Sequence, residues 1–194
     1  MTNSDPSFVS LVAHPSTPSE VVRCVAASAR LVGPQSLRFA YVLEADPRRV
    51  RLPQTIADAG RADGLWAHTC FEAFVALEGS PRYVELNFSP SGQWAAYSFD
   101  AYREGMLPAL DAAPRLTLRR RAEWLELQAE VRLSGALSLR SSSNLRLRVA
   151  LSTVVEDQEG RLSYWALRHP AGRPDFHHSD SFSLVLEFSR NPAQ

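Results

Sequence analysis

The side chains whose types could do chemistry are concentrated in residues 65–106. They combine stacking rings with polar groups that make paired hydrogen bonds, namely Trp66, His68, Cys70, Glu72, Glu85, Asn87, Trp94, Tyr102 and Arg103. Carboxylates, amides and guanidinium groups hydrogen-bond through two atoms at once, and indoles pack on apolar ring faces. A recognition cleft needs this combination, whereas an ordinary sheet surface does not, so the segment predicts ligand binding.

Two predicted strands position the polar groups. Apolar residues alternate over residues 71–77 and again over residues 84–88, so one face of each strand must point to a core. Glu72, Glu85 and Asn87 then share the opposite face. A solvated sheet surface is the alternative reading of such a face.

The turn between the strands sets their pairing. A two-residue type II′ turn at Gly79 and Ser80 would place Glu72 opposite Asn87. A longer loop would shift the pairing by two residues without changing which side chains share a face.

Aromatic residues flank this polar face. Trp66, His68 and Cys70 have the parity of Glu72, so an extended strand would carry an indole and an imidazole to the same side, and Tyr83 also has the outward parity. Rings beside carboxylates and an amide predict a cleft that stacks one ligand face and hydrogen-bonds its edge. Sugars present that combination of apolar ring faces and hydroxyl groups.

A third strand is expected to follow. Residues 89–92 (SPSG) suit a type I turn, and residues 93–100 then form the strand. Arg103, beyond it, has two open roles: a forked hydrogen bond to a ligand, or a brace for Glu72 or Glu85.

Period-two alternation recurs along the rest of the chain. It is found in residues 37–43, 125–133, 145–151 and 182–188. Residues 19–30 are ambiguous between helix and strand, and residues 47–62 resemble a loop with one turn of helix. We therefore expect one domain over residues 1–194, an antiparallel two-sheet β-sandwich with few short helices.

Composition excludes several partners. Acidic and basic residues number 21 each, and the basic residues are all arginine, so charge does not favour nucleic acid or an anionic membrane. The amino terminus lacks a signal-peptide pattern and no apolar run is long enough to span a bilayer, so we expect a cytoplasmic protein. Cys24 and Cys70 are then expected to be buried thiols rather than a disulfide.

The polar segment resembles a known family. Residues 64–74 (GLWAHTCFEAF) and 83–94 (YVELNFSPSGQW) resemble bacterial DOMON-like proteins that are similar to carbohydrate-binding module family 9. Residues 164–167 (YWAL) and 169–177 (HPAGRPDFH) look like the same group. The resemblance covers roughly residues 65–178.

The resemblance implies an immunoglobulin-like or jelly-roll sandwich with a cleft, noncatalytic in most relatives, that binds sugars in some branches and haem in others. By analogy with the sugar-binding branch, Trp66 and Glu72 would hold the ligand with Trp165 as the second indole. Asn87 and Arg103 would be its polar partners. The chain lacks the signal peptide, attached catalytic domain and calcium-rich loop of the secreted modules, which favours an intracellular small sugar or cell-wall precursor.

Other functions compete with noncatalytic binding. Haem would need an axial pair, with Met106 and one of the histidines His68, His169, His177 and His178. Glu72 and Glu85 could instead act as acid and base in glycoside hydrolysis. A metal site near residues 173–180 is less favoured than loop bracing, and a protein-interaction domain with a vestigial cleft stays open.

The sequence thus predicts a noncatalytic domain that binds a small sugar, with no metal and no assigned cofactor. Its oligomeric state is left open. The candidate ligand-binding residues are Trp66, His68, Glu72, Glu85, Asn87, Arg103, Trp165 and His177.

Overall fold

The described chain is built almost entirely of strands. The computed structural model describes residues 7–33, 35–109, 113–133 and 144–189, within which lie thirteen β-strands and two single-turn 3-10 helices. The strands are β1 (Val9–Ala13), β2 (Val22–Gly33), β3 (Ser36–Ala45), β4 (Val50–Arg51), β5 (Cys70–Leu77), β6 (Tyr83–Phe88), β7 (Trp94–Phe99), β8 (Leu107–Pro108), β9 (Arg115–Arg120), β10 (Trp124–Arg132), β11 (Asn144–Asp157), β12 (Leu162–Ala166) and β13 (Leu184–Ser189). The helices are Leu65–Ala67 and Ser179–Ser181.

The strands form one continuous, curled antiparallel ladder. Its order is β8-β7-β6-β5-β11-β12-β1-β2-β3-β10-β9, and β4 and β13 pair with β11. Residues 9–11 of β1 pair with β2 and residues 12 and 13 pair with β12, so β1 joins the two halves of the ladder. The all-β antiparallel prediction is confirmed. Division into two separate sheets stays a prediction, because the ladder runs through β1 without a break.

The main core lies between the two halves of the ladder. Phe39 and Tyr41 of β3 contact Phe88 and Phe71 of the other half, with ring centroids 6.1 and 5.1 Å apart respectively. The Tyr41 hydroxyl also donates a 2.7 Å hydrogen bond to the Glu72 carbonyl. Alternate apolar side chains of β5 and β6 join this core, as their parity predicts. No helix in the described residues is long and apolar enough to cross a membrane.

Two segments that the sequence left open are now assigned. Residues 22–33 form strand β2, whose Val25 and Ala27 are fully buried, so the helix alternative for residues 19–30 is wrong. β-branched valines favour a pleated strand of this kind. Residues 47–62 contain the two-residue strand β4 and no assigned helix. The Asp46 carbonyl accepts hydrogen bonds from the Arg49 and Val50 N–H groups at 3.0 and 3.2 Å, so the segment begins with the expected single helical turn.

The hairpin has the predicted register but a different turn. Glu72 pairs with Asn87 as expected. The Ser80 N–H bonds to the Leu77 carbonyl at 3.0 Å, so Gly79, with φ 78°, is the second central residue rather than the first of a type II′ turn. The expected turn at residues 89–92 is confirmed by a 3.0 Å bond from the Gly92 N–H to the Ser89 carbonyl.

The two cysteines are free, as expected. Cys70 is buried, and Cys24 is only partly buried.

Candidate functional site

A pocket lies on the outer face of β5, β6, β7, β11 and β12, opposite the main core. Successive strand residues point to opposite faces, so even-numbered positions of β5, β11 and β12 and odd-numbered positions of β6 and β7 share this outer face. They form a second buried cluster with residues 176 and 182, which come from the segment that covers the sheet. The alternative of a solvated sheet surface is therefore wrong for most of this face.

The uncovered part of this face is a cavity of about 420 Å³. Its walls combine apolar and aromatic side chains with carboxylates, an imidazole and a guanidinium, and they comprise Trp66, Glu72, Glu85, Phe99, Arg103, Met106, Val154, Tyr164, Pro174, Asp175, Phe176 and His177.

A row of buried polar side chains crosses the sheet beside the cavity. Asn87, Glu72 and Ser152 are direct partners on the neighbouring strands β6, β5 and β11. None of the three is more than 3% exposed. One polar atom of each has no hydrogen-bond partner in the described structure: Asn87 Oδ1, Glu72 Oε1 and Ser152 Oγ. Buried polar atoms are nearly always paired, so this row has unused hydrogen-bonding capacity.

Small residues extend the same row. Ala95 follows Asn87 on β7, and Ala166 follows Ser152 on β12. Both alanines are themselves buried, and their methyl groups offer no hydrogen-bond partner to the polar groups beside them.

The two glutamates hold their protons more tightly than usual. Burial raises the pKa of Glu72 well above its ordinary value, and the nearby charge of Glu85 adds to the effect, while Arg103 opposes it. Burial also raises the pKa of Glu85, against a 2.8 Å hydrogen bond from Asn87 Nδ2 and the charge of Arg103. Two carboxylates in one dry site disfavour ionisation of both.

His177 closes the cavity above Glu85. Its Nδ1 lies 2.8 Å from the Tyr83 hydroxyl, and its Nε2 lies 3.6 Å from Glu85 Oε2. Since Tyr83 already accepts a hydrogen bond from the Arg103 N–H, we assign the hydroxyl proton to Nδ1 and the ring proton to Nε2. Burial, assisted by the charge of Arg103, lowers the pKa of His177 to about 4.

Arg103 is tied to the covering segment rather than to the glutamates. Its guanidinium lies 2.9 Å from Asp175 Oδ1, and the Tyr102 hydroxyl donates to the same carboxylate. Burial alone would raise the pKa of Asp175, but the bonds from Tyr102 and Arg103 outweigh it and lower that pKa. Arg103 forms no ion pair with Glu72 or Glu85 in the described structure, so the expected brace between them is not formed.

The backbone of Arg103 is unusual. Its φ of 56° places a non-glycine residue in the left-handed region, which is uncommon. This turn directs the Arg103 N–H to Tyr83 and the side chain to the cavity wall. Strained residues of this kind are concentrated at functional sites.

Trp66 stands at the mouth of the cavity. It belongs to the 3-10 helix Leu65–Ala67, which follows Gly64 with φ 73°. The indole is 41% exposed and packs edge-to-face on Tyr97, with centroids 5.9 Å apart. Strand β5 begins only at Cys70, so Trp66 reaches this side through the helix and not through strand alternation.

Trp165 and His68 do not reach the cavity. Trp165 points to the main core, where it is 8% exposed and donates a 3.0 Å bond to Ser163 Oγ. The odd positions of β12 face inward, so Tyr164 is the β12 ring in the cavity wall. His68 turns away because the strand does not extend to it, and its Nδ1 lies 2.7 Å from Glu156 Oε2.

The structure thus brings together Trp66, Glu72, Glu85, Arg103 and His177 from the predicted set in the cavity wall. Asn87 is not in that wall, but it pairs with Glu72 and donates a hydrogen bond to Glu85. Sequence reasoning missed the wall residues Phe99, Tyr164 and Phe176. Parity could have placed Phe99, which shares a face with Ala95 and Tyr97 on β7.

The fold and this pocket define a class of all-β domain with a covered polar cleft beside an exposed indole. Similar solved structures include a protein for which carbohydrate binding has been suggested and a carbohydrate-binding module. One is a protein from Bacteroides uniformis for which carbohydrate binding has been suggested, with 18% identity, a TM-score of 0.70, and coverage of 95% of this chain and 87% of that one.

Two further similar structures are of a carbohydrate-binding module of family 9 from Caldicellulosiruptor kristjanssonii. The module in complex with cellotriose has a TM-score of 0.55 at 8% identity over 96% of this chain and 85% of that one. Its complex with glucose has a TM-score of 0.51 at 10% identity, over 92% and 83% of the respective chains. The chain therefore has the fold of family 9 modules. Neither a protein-family model nor a curated protein sequence matches it.

Proposed function

We propose that the cavity binds a small carbohydrate without transforming it. The sugar ring packs on Trp66, and its hydroxyls bond to Glu72, Glu85 and Asn87. The observation that carries this proposal is the row of buried polar atoms without partners that lies beside an exposed indole.

Energetics support a ligand rich in hydroxyl groups. An unsatisfied buried polar group costs about 1 to 3 kcal/mol, and the Asn87, Glu72 and Ser152 row holds three such atoms. A sugar offers several hydroxyl groups, each of which can both donate and accept a hydrogen bond. A ligand without them would leave the row unpaired.

The fold supports the same class of ligand. The modules from Caldicellulosiruptor kristjanssonii bind cellotriose and glucose. The cavity of about 420 Å³ lies within the usual size range of small-molecule sites. We infer that a mono- or disaccharide suits it.

The placement of the carboxylates favours binding over hydrolysis. Glycosidases use two carboxyl groups that flank the scissile bond. Glu72 and Glu85 project from the same face of adjacent strands, so both approach a ligand from one side. No turnover of chromogenic glycosides is expected, and turnover that disappears in Glu72→Gln would contradict this part of the proposal.

The experiment is a calorimetric titration with a panel of mono- and disaccharides that includes glucose. The matched variants are Trp66→Ala and Trp124→Ala, because these two indoles are similarly exposed, at 41% and 36%. Trp66→Ala should weaken binding about five- to thirtyfold, since aromatic packing contributes on the order of 1 to 2 kcal/mol. Trp124→Ala should leave the affinity unchanged. Loss of affinity in both variants, or in neither, would contradict the site.

A further inference from the structure

The charges of the cavity are not balanced by the protein. Glu72 is 3% exposed and Glu85 is 5% exposed. Among the described residues no arginine lies within 4.0 Å of either carboxylate, and the one nitrogen of a basic side chain within that distance is His177 Nε2, 3.6 Å from Glu85. Glu72 Oε1 has no hydrogen-bond partner of any kind.

The cations nearby do not neutralise the pair. Arg103 is bound to Asp175, so these two charges offset each other. His177 is uncharged at neutral pH because its pKa lies at about 4. The cavity is thus left with an acidic surplus that comes from the two glutamates.

Other titratable groups around the pair do not change this surplus. They lie on the strands beneath and beside the cavity, namely Tyr41, Cys70, Tyr83, Tyr97 and Tyr164. Burial raises the pKa of each of them, so all are neutral at neutral pH. The glutamates are therefore the groups whose charge responds to a ligand.

A buried carboxylate without a counter-charge is unfavourable, and this raises the pKa of both glutamates. A cationic group on the ligand would supply the missing counter-charge. An ammonium group has three N–H donors and a full positive charge, and its hydrogen bonds to carboxylates are stronger than those of neutral hydroxyls.

We propose that the ligand is a cationic amino sugar, a hexosamine with a free ammonium group that lies between Glu72 and Glu85. Trp66 then packs on the sugar ring, and Asn87 and Ser152 bond to its hydroxyls. A simple alkylamine would leave the indole and the polar row unused. This inference rests on the proposed carbohydrate binding and names the class of sugar.

Proton release accompanies this binding. The ammonium stabilises both ionised carboxylates and so lowers their raised pKa values, which releases any proton that the pair still holds at the pH of the titration. A neutral sugar has no such effect, because it leaves the charge of the site as it was.

The test is calorimetry at pH 6.5, where a free amine of a sugar is protonated, with glucosamine, glucose and N-acetylglucosamine as probes. Glucosamine should bind at least about tenfold more tightly than the two neutral sugars. Titrations in two buffers of different ionisation enthalpy should show proton release for glucosamine and none for glucose.

Glu85→Gln keeps the shape and hydrogen bonds of the side chain but removes its charge. It should reduce the preference for glucosamine to about twofold or less. Glu187→Gln is the matched control, because that carboxylate lies on β13 outside the cavity and its side chain is 63% exposed. It should keep the full preference.

Two outcomes would overturn the inference while leaving carbohydrate binding intact: equal affinity for all three sugars, or a preference for glucosamine that persists in both Glu72→Gln and Glu85→Gln. Failure of every sugar to bind would contradict the proposed function itself, and the inference with it.

Discussion

Glu72 is a residue whose burial opposes the stability of the free protein. Its carboxylate lies on a sheet face with one oxygen unpaired, and burial raises its pKa well above the ordinary value. In the unfolded chain the group ionises at its ordinary pKa of 4.5. Below that value both states hold the proton and there is no penalty. As the pH rises, ionisation favours the unfolded state, so stability falls.

Replacing this carboxyl should therefore stabilise the protein. Glu72→Gln is expected to change the free energy of unfolding little at pH 4 and to raise it at pH 8, because the amide has no charge to bury. Urea unfolding at the two pH values measures this difference. The exposed control Glu187→Gln should change stability by less than about 0.5 kcal/mol at both. A loss of stability in Glu72→Gln at pH 8 would show that the buried Glu72 carboxylate does not oppose folding.

His177 has the opposite pH dependence. Burial lowers its pKa from 6.5 to about 4, so the unfolded state takes up the proton first as the pH falls. The contribution of the neutral ring is complete above pH 6.5 and is lost as the pH falls through that range to about 4. The total is about 3 kcal/mol, since one pKa unit corresponds to about 1.4 kcal/mol.

The variant His177→Asn should flatten this pH dependence. The difference in unfolding free energy between pH 7 and pH 4 should fall by about 3 kcal/mol relative to the wild type. His178→Asn serves as the control because the neighbouring imidazole is 43% exposed. Equal pH dependence in the two variants would refute the assigned role of His177. Glu72 and Glu85 change the free energy of unfolding with pH in the opposite direction, and both variants retain them, so their contribution cancels in the comparison.

At the scale of elements, the sequence located the β5–β6 hairpin well. Alternation identified its inner and outer faces, and the expected pairing of Glu72 with Asn87 is formed, although the turn from which it was predicted is not. Alternation failed where the strand ended. Trp66 and His68 lie before β5, in and just after the 3-10 helix, where strand alternation does not apply. The local backbone directs Trp66 to the cavity and His68 to Glu156.

Strand β12 shows a second limit. A strand pattern says which residues share a face but not which face points inward. Its pairing with β1 and β11 decides that, and it places Trp165 in the core and Tyr164 in the cavity wall. The family resemblance suggested the indole, whereas the structure shows the phenol at the site.

Trp165 is consequently expected to act on stability and not on binding. Trp165→Phe should lower the free energy of unfolding by about 1 to 3 kcal/mol, because it leaves a void in a close-packed core and removes the bond to Ser163. Sugar affinity, measured below the unfolding transition, should stay within about twofold of the wild type. A large loss of affinity with unchanged stability would place this indole at the ligand after all.

At the scale of the whole molecule, the main core and the proposed binding cavity lie on opposite faces of the curled sheet. One face closes the main core between the two halves of the ladder, and the other carries the cavity under residues 174–182. The wall that Asp175, Phe176 and His177 provide comes from about 90 residues beyond the hairpin. Only the tertiary fold brings it there, which is why the sequence predicted the floor of the site better than its cover.

The central claim is that a sugar enters this cavity and packs on Trp66. The most direct measurement is a nuclear magnetic resonance titration that follows the indole N–H signals of the four tryptophans. On addition of a binding sugar, the Trp66 signal should shift most, while the signals of Trp124 and the core residue Trp165 stay in place. Shifts at Trp124 or Trp165 without one at Trp66 would contradict the account.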